Sequence, residues 1–284
     1  MADRLRFLMC RPDFFDVSYV INPWMEGNVN RAARAIAAAQ WQRLFGIVSS
    51  VARVELVEPR PGLPDMPFTA NASLVLGNSV VLSRFKYDER QGEERHFERW
   101  FASRGFKVIK LPESIPFEGA GDALIDRGQH RVWAGFGHRS SRQSLDLVES
   151  ILDVEVLALR LVDPRFYHLD TCFCPIEGGS IMYFPQAFDR ASNRLIEDRV
   201  PAPLRIPIGE KDALAFACNA INVGNLLVMN KASADLRRRL RACGLRALES
   251  DLSEFMKAGG SAKCLTLRLD EPRPAAEESA FGVA

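Results

Sequence analysis

The chain is poor in the residues that build disulfide scaffolds and metal clusters. It has six cysteines and four histidines in 284 residues, and no Cys-x-x-Cys pair. Cysteines this sparse exclude a framework of bridges and fit a reducing compartment. It also lacks a charge imbalance, with 37 Lys+Arg against 36 Asp+Glu, which removes the electrostatic case for nucleic acid or an anionic membrane surface as a partner. No stretch approaches the roughly 18 uninterrupted apolar residues of a membrane span. The opening MADRLRFLMCRPDFFD has no signal-like apolar run before its charges. Together these absences predict a cytoplasmic protein. Its 47% hydrophobic and 26% charged residues are ordinary for a packed globular chain.

A weak repeat organises the sequence. In 71–111 an apolar strand, a turn at Gly77-Asn78, a second strand, a helical stretch and a third strand follow one another. The pattern returns from 122, with a turn near Arg127-Gly128 and a helix marked by Leu145, Val148, Ile151 and Leu152. A third copy starts at Ser180 and a fourth near Asn219. The fifth is split between the chain ends: KCLTLRL (263–269) would pair with RLRFLMCRP (4–12), followed by the helix RAARAIAAAQWQRLFGIVSSV and the strand RVELVE. First-strand starts at 71, 122, 180, 219 and 263 are 51, 58, 39 and 44 residues apart. Five such ββαβ units closed through the termini would form an α/β propeller without open sheet edges, residues 1–270 acting as a single catalytic domain. An open α/β or α+β sheet is the other architecture compatible with the pattern. Residues 271–284 (EPRPAAEESAFGVA) lose periodicity and are expected to form a loose tail.

In a ring, residues at the starts of the first strands converge on the axis. Those places hold Asn71 (FTAN), Glu118 and Asp122 (FEGAGD), His168 and Asp170 (FYHLD) and Cys264 (GGSAKC). A thiol, an imidazole and carboxylates from different units suit covalent cysteine catalysis, in which a thiolate attacks and a histidine moves the proton. A lone cysteine at the start of an apolar strand is more often a packing residue than a nucleophile, and Lys263 would lie on the opposite strand face. Gly259-Gly260 permits close approach of another chain or a ligand. His168, Asp170, Cys172 and Cys174 share one face if they form a strand. Their spacing of roughly 6.5–7 Å per pair is too wide for comfortable zinc coordination, so no metal is expected. The run RRRLR (237–241) reads as a solvated helix stripe.

These motifs, with HRSSR between them, fall in the order found in the guanidino-group-modifying (arginine deiminase/amidinotransferase) superfamily, and the resemblance extends to about Asp270. It implies the five-bladed propeller called a pentein and a metal- and cofactor-free hydrolysis. By position, it implies Cys264 as nucleophile, His168 as general acid/base, and Glu118 and Asp170 as carboxylates holding the guanidinium. It also implies Arg90 and Arg139 as a clamp on the substrate α-carboxylate. MCRPDFFDVSYVINPWM further resembles the branch of dimethylarginine dimethylaminohydrolase-like proteins and arginine dihydrolases, where Asn22 is a pocket candidate; a turn role before Pro23 is as compatible.

Asn71 departs from the Asp of deiminases. An amide can donate to the carbonyl of a neutral ureido group, whereas a carboxylate would set two acceptors face to face. Asn is the pattern of arginine dihydrolases, which carry arginine through citrulline to ornithine, ammonia and carbon dioxide; these often have a further C-terminal domain. The leading expectation is that reaction. The alternatives are dimethylarginine hydrolysis to citrulline and dimethylamine, amidinotransfer to an acceptor amine, and a non-catalytic binding ring. The expected partner is a small guanidino compound, arginine or methylarginine, and self-association is left open.

Overall fold

Five short apolar runs, each too brief to bury a core alone, form the first strands of five three-stranded sheets. The computed structural model describes residues 5–272. In the first unit Ser73–Leu76 pairs antiparallel with Ser79–Leu82, which pairs parallel with Lys107–Lys110. The parallel step requires a long crossover, supplied by the helix Asp88–Ser103. The second unit repeats this with Ala123–Asp126, Arg131–Phe136, the helix Arg142–Leu152 and Val156–Arg160. The third uses Phe173–Pro175, Ile181–Tyr183, the helix Arg190–Arg199 and Arg205–Pro207. The fourth uses Ile221–Val223, Leu226–Met229, the helix Ala234–Ala242 and Arg246–Glu249.

The fifth unit joins the two ends of the chain. Leu267–Arg268 runs antiparallel to Arg6–Cys10, with Leu8 opposite Leu267, and Arg6–Cys10 runs parallel to Arg53–Val57 across the helix Arg34–Val51. The five first strands together line one axial cavity, touched by Leu74, Ile125, Phe173, Ile221 and Leu267. This is the five-bladed α/β propeller.

Local chemistry explains the regularity. Gly77 and Gly224 each precede Asn in a two-residue hairpin turn and have φ of +58° and +56°, a conformation glycine adopts without a Cβ penalty. The helices of the second, third and fourth units begin on Ser141, Asp189 and Ser233, whose side chains accept from the backbone N–H three residues on.

Three expectations are corrected. The third unit begins at Phe173, and SIMYF holds its second strand; the observed starts at 73, 123, 173, 221 and 267 are 50, 50, 48 and 46 residues apart. Ile151 is 38% exposed, because Leu145, Val148 and Leu152 already fill the buried stripe of their helix. Glu271, placed in the loose tail, is buried and accepts from Arg127 Nε at 2.8 Å; residues 273–284 lie outside the described residues. Among the described residues no helix is long and apolar enough to cross a membrane.

Closure predicts its own weak point. Leu267→Ala removes a buried side chain where the termini meet, and should lower the free energy of unfolding by about 2–5 kcal/mol, measured by urea denaturation.

Candidate active site

Each unit enters its first strand through a tight turn or a short helical turn: Thr69–Ala72, Gly119–Asp122, Leu169–Thr171, 215–219 and 262–265. These five turns carry the polar residues of the axis. Cys264 therefore lies in a turn ahead of its strand, and His168, Asp170, Cys172 and Cys174 do not form a strand stripe: His168 precedes a 3-10 turn and only Cys174 is in the strand. His168 is bonded to Glu118, and Cys172 Sγ donates to Leu169 O. Among the described residues no three metal-ligand side chains gather.

At the centre is Glu118, with no solvent exposure. Its Oε2 accepts from Arg139 Nη1 at 2.9 Å and lies 2.7 Å from His168 Nε2; its Oε1 accepts from Lys86 N at 3.2 Å. Burial opposes its charge, but Arg139 and the His168 bond hold the carboxyl well below the usual carboxylate range. Arg139 also donates to Ile21 O at 2.9 Å and is stacked between the rings of Tyr87 and Tyr167, 4.8 and 4.5 Å from their centroids.

Arg90 orders the opposite wall. Its guanidinium donates twice to Glu93, both bonds 2.9 Å, and Nη1 donates to Asn71 Oδ1 at 2.9 Å. Because arginine is only a donor, this contact assigns the amide and turns Asn71 Nδ2 toward His168 Nδ1, 3.5 Å away. His168 Nδ1 is then the acceptor, and the ring proton sits on Nε2, facing Glu118. A methyl at Gly121 would stand 2.1 Å from Asn71 Nδ2, so glycine there leaves room for the amide.

Cys264 is 2% exposed. Its Sγ lies 3.4 Å from Asp170 Oδ2 and accepts from Asn219 Nδ2 at 3.0 Å, while its backbone N–H donates to Asn219 Oδ1 at 3.1 Å. Burial pushes the thiol well up, and the Asp170 charge adds to that. Burial likewise raises Asp170 to about 7, against the opposing charge of Lys263 and bonds from Cys264 and Asn219.

The small pocket over Cys264 is walled by Asn22, Asp65, Asn71, Arg90, Arg139 and Tyr167 among others. It shares Ile21, Asn22, Arg139 and Tyr167 with a wider outer vestibule. Asn22 Oδ1 accepts from Trp24 N at 3.0 Å in the turn before Pro23, its Nδ2 donates to Ala258 O at 3.1 Å, and the residue borders the pocket. The two glycines do allow close approach: a Cβ on Gly260 would sit 2.4 Å from Phe68 Cε1, and one on Gly259 would sit 2.8 Å from the Tyr167 hydroxyl. Asp122 does not line the pocket. Its Oδ2 accepts from Ser140 N and Oγ at 3.1 and 2.6 Å and its Oδ1 from Leu169 N at 3.1 Å, which braces the turns carrying Arg139 and His168; burial raises it to about 6.

Two residues of the site, Asn219 beside Cys264 and Asp65 in the pocket wall, escape a reading by sequence. Asn219 occupies, in the fourth unit, the place that Asn71 and Cys264 occupy in theirs, so the repeat itself was the available signal. Asp65, buried in a loop before the first unit, has an Oδ1 with no hydrogen-bond partner while Oδ2 accepts from Tyr19 at 2.9 Å; no periodicity marks it.

Asn219→Ala deletes the donor to the sulfur. A bond to an ionised group contributes about 1.5–3 kcal/mol, so alkylation of Cys264 by a haloacetamidine should slow roughly 10- to 100-fold at neutral pH, with the circular dichroism spectrum unchanged.

Comparison with known proteins follows the same lines. The family model for "N,N dimethylarginine dimethylhydrolase, eukaryotic" matches residues 25–270. The bifunctional arginine dihydrolase/ornithine cyclodeaminase AgrE of Nostoc sp. is 57% identical over 272 residues, covering 96% of this chain and 39% of AgrE. The chain thus spans about two-fifths of the length of AgrE and of its Synechocystis counterpart ArgZ. The N(G),N(G)-dimethylarginine dimethylaminohydrolase of Mycobacterium tuberculosis is 37% identical, covering 93% of this chain and 85% of that protein. The crystal structure of the N-terminal domain of ArgZ, a cyanobacterial arginine dihydrolase, in a C264S variant bound to substrate, superposes with a TM-score of 0.94 at 54% identity, covering 94% of this chain and 99% of the domain. By the family model and by these relatives, the chain belongs to the dimethylarginine dimethylaminohydrolase-like family of guanidino-group-modifying proteins.

Proposed function

We propose that this chain is a cytoplasmic cysteine-dependent hydrolase of guanidino C–N bonds, with residues 1–270 as one catalytic unit, and that it converts L-arginine through citrulline to ornithine, ammonia and carbon dioxide. The observation that carries the choice is Asn71, whose amide is oriented by Arg90 with its donor toward His168 and the pocket. The similarity to AgrE, and to ArgZ crystallised with substrate and with product, supports it.

The resting pocket holds a neutral thiol beside Asp170. A planar guanidinium brought against Asp170 cancels the like charge that opposes the thiolate. The Cys264 sulfur then adds to the guanidinium carbon as the thiol proton passes to His168, and His168 delivers that proton to the departing nitrogen, which leaves as ammonia. The covalent thiouronium takes up water, whose proton passes to His168. Collapse of the tetrahedral centre breaks the C–S bond, giving citrulline and a free Cys264. In the second round the sulfur adds to the ureido carbon, a second ammonia leaves, and water releases a carbamate that falls to ornithine and carbon dioxide. Asn71 Nδ2 is the donor suited to the ureido oxygen in that round.

Arg90 and Arg139 bring cationic groups to the pocket wall for the α-carboxylate. The unpartnered Asp65 Oδ1 is the acceptor available to an α-ammonium. Dimethylarginine hydrolysis is the second reading, favoured by the family model and the mycobacterial relative, and it would use the same thiol and imidazole.

Product analysis tests the choice. Arginine should yield ornithine with two ammonia per turnover and Cys264→Ala none; citrulline as end product, or turnover of dimethylarginine alone, would sink it. Asn71→Asp should accumulate citrulline, with ornithine formation down by at least about tenfold. Because Asp170 must be ionised to take the cation, kcat/KM for arginine should fall as pH drops through about 7.

A further inference from the structure

The ion pair between Arg90 and Glu93 is buried, and Glu93 takes part in no step of the reaction. Both residues lie near the start of the helix Asp88–Ser103, three positions apart on its buried face, with Glu93 0% and Arg90 3% exposed. Glu93 Oε1 accepts from Arg90 Nε and Oε2 from Arg90 Nη2, each at 2.9 Å. Among the described residues, the Glu93 carboxylate has no other hydrogen-bond partner. A carboxylate taken out of water for a single guanidinium adds little to stability, because desolvation of the two charges offsets most of their attraction. What it contributes is orientation.

A fork on the Nε/Nη2 edge fixes both the plane and the rotation of a guanidinium. Nη2 also donates to Asp65 O at 3.3 Å, and the guanidinium carbon lies 4.4 Å from the centroid of the Phe85 ring. Nη1, on the edge away from the carboxylate, is thereby aimed at Asn71 Oδ1, 2.9 Å away. Among the described residues, Arg90 is the sole donor to that oxygen. The placement of the amide, with Nδ2 3.5 Å from His168 Nδ1 at the pocket wall, thus follows from which edge of Arg90 the carboxylate closes.

We infer that Glu93 is a positioning residue: by closing the Nε/Nη2 edge of Arg90 it makes Nη1 hold the Asn71 oxygen, keeps the amide donor turned to the substrate, and so favours hydrolysis of the ureido group over release of citrulline. The inference rests on the two-round hydrolase reading and deepens it. A guanidinium carries N–H donors alone and can be met by the oxygen end of an amide, whereas a ureido oxygen requires the donor end. In Glu93→Gln, one edge N–H of Arg90 meets the glutamine oxygen and the other meets an NH2 group, so the fork opens. Nη1 loses its aim and Asn71 is free to turn over, placing an acceptor where the ureido oxygen needs a donor. The first round survives that reversal and the second does not.

The test is product partition from arginine by the full chain. In Glu93→Gln the ornithine-to-citrulline ratio should fall at least about tenfold, while arginine consumption at saturation changes less than about threefold. Asn71→Asp combined with Glu93→Gln should match Asn71→Asp alone within about threefold, since the fork then has no amide to orient. Equal losses of arginine consumption and ornithine, an unchanged ratio, or a further fall of about tenfold in the double variant would overturn the inference. Should Glu93→Gln not fold, Glu93→Asp keeps the charge but shortens the reach by a methylene; the ratio should fall there too, and an unmoved ratio overturns the inference. If the unaltered chain makes no ornithine, the two-round reading fails on its own, and ring-nitrogen NMR of His168, assigned by its loss in His168→Ala, decides the placement of the amide. Nδ1 should then be bare and Nε2 protonated, with the Nδ1 signal moving in the Glu93 variant; a protonated Nδ1 or an unmoved signal overturns the inference.

Discussion

The buried charge on Glu118 is the constraint around which the axis is built. A carboxylate without solvent access costs several kcal/mol unless its oxygens are matched, and here Arg139, His168 and the Lys86 backbone do the matching. Each partner is thereby committed. Arg139 cannot swing away without abandoning Glu118 and the Ile21 carbonyl, so it becomes a fixed part of the pocket wall. His168 cannot exchange its ring proton between nitrogens without facing Glu118 with a lone pair, so its tautomer is set. Removing one member of such a buried pair typically costs about 3–5 kcal/mol because the other is left uncompensated. Stability and active-site geometry are therefore carried by the same contacts.

The ring supplies what that arrangement needs, which is approach from several directions. Asn71, Asp170, Asn219 and Cys264 sit in turns that enter first strands, and Glu118 and His168 immediately precede theirs, one turn per unit. A turn packed against two sheets holds its side chains more rigidly than a free surface loop, and such rigidity lets dipoles and charges act without reorganising. Asp122 shows what this arrangement demands in support. It is a buried carboxylate that takes no part in the pocket and commits its oxygens to Ser140 and Leu169, pinning two of the turns together.

Much of this was legible beforehand, for identifiable reasons. Strand–turn–strand–helix order survives in sequence because each element has its own period and its own turn residues, as Gly77-Asn78 and the Leu145/Val148 stripe show. The register of the third unit was not legible, because FYHLDTCFCP is apolar enough to read as one strand; the backbone instead makes a 3-10 turn at Leu169–Thr171 and leaves only three residues in the ladder. Asp65 has a different obscurity. Its Oδ1 is left without a partner only by what the fold packs around it, and nothing local in the sequence distinguishes such a carboxylate oxygen from a solvated one.

Asn71 joins these threads. An aspartate at this place would still accept from Arg90, but its second oxygen would meet His168 Nδ1 and call for a proton there, while Glu118 already holds the proton on Nε2. Both ring nitrogens would then have to act as donors. The amide avoids that: one end accepts from Arg90 and the other donates to the ring. In the proposed two-round reaction the amide donor that faces the ring is also the group suited to the ureido oxygen, so one side chain serves both the orientation of the histidine and the recognition of the second substrate.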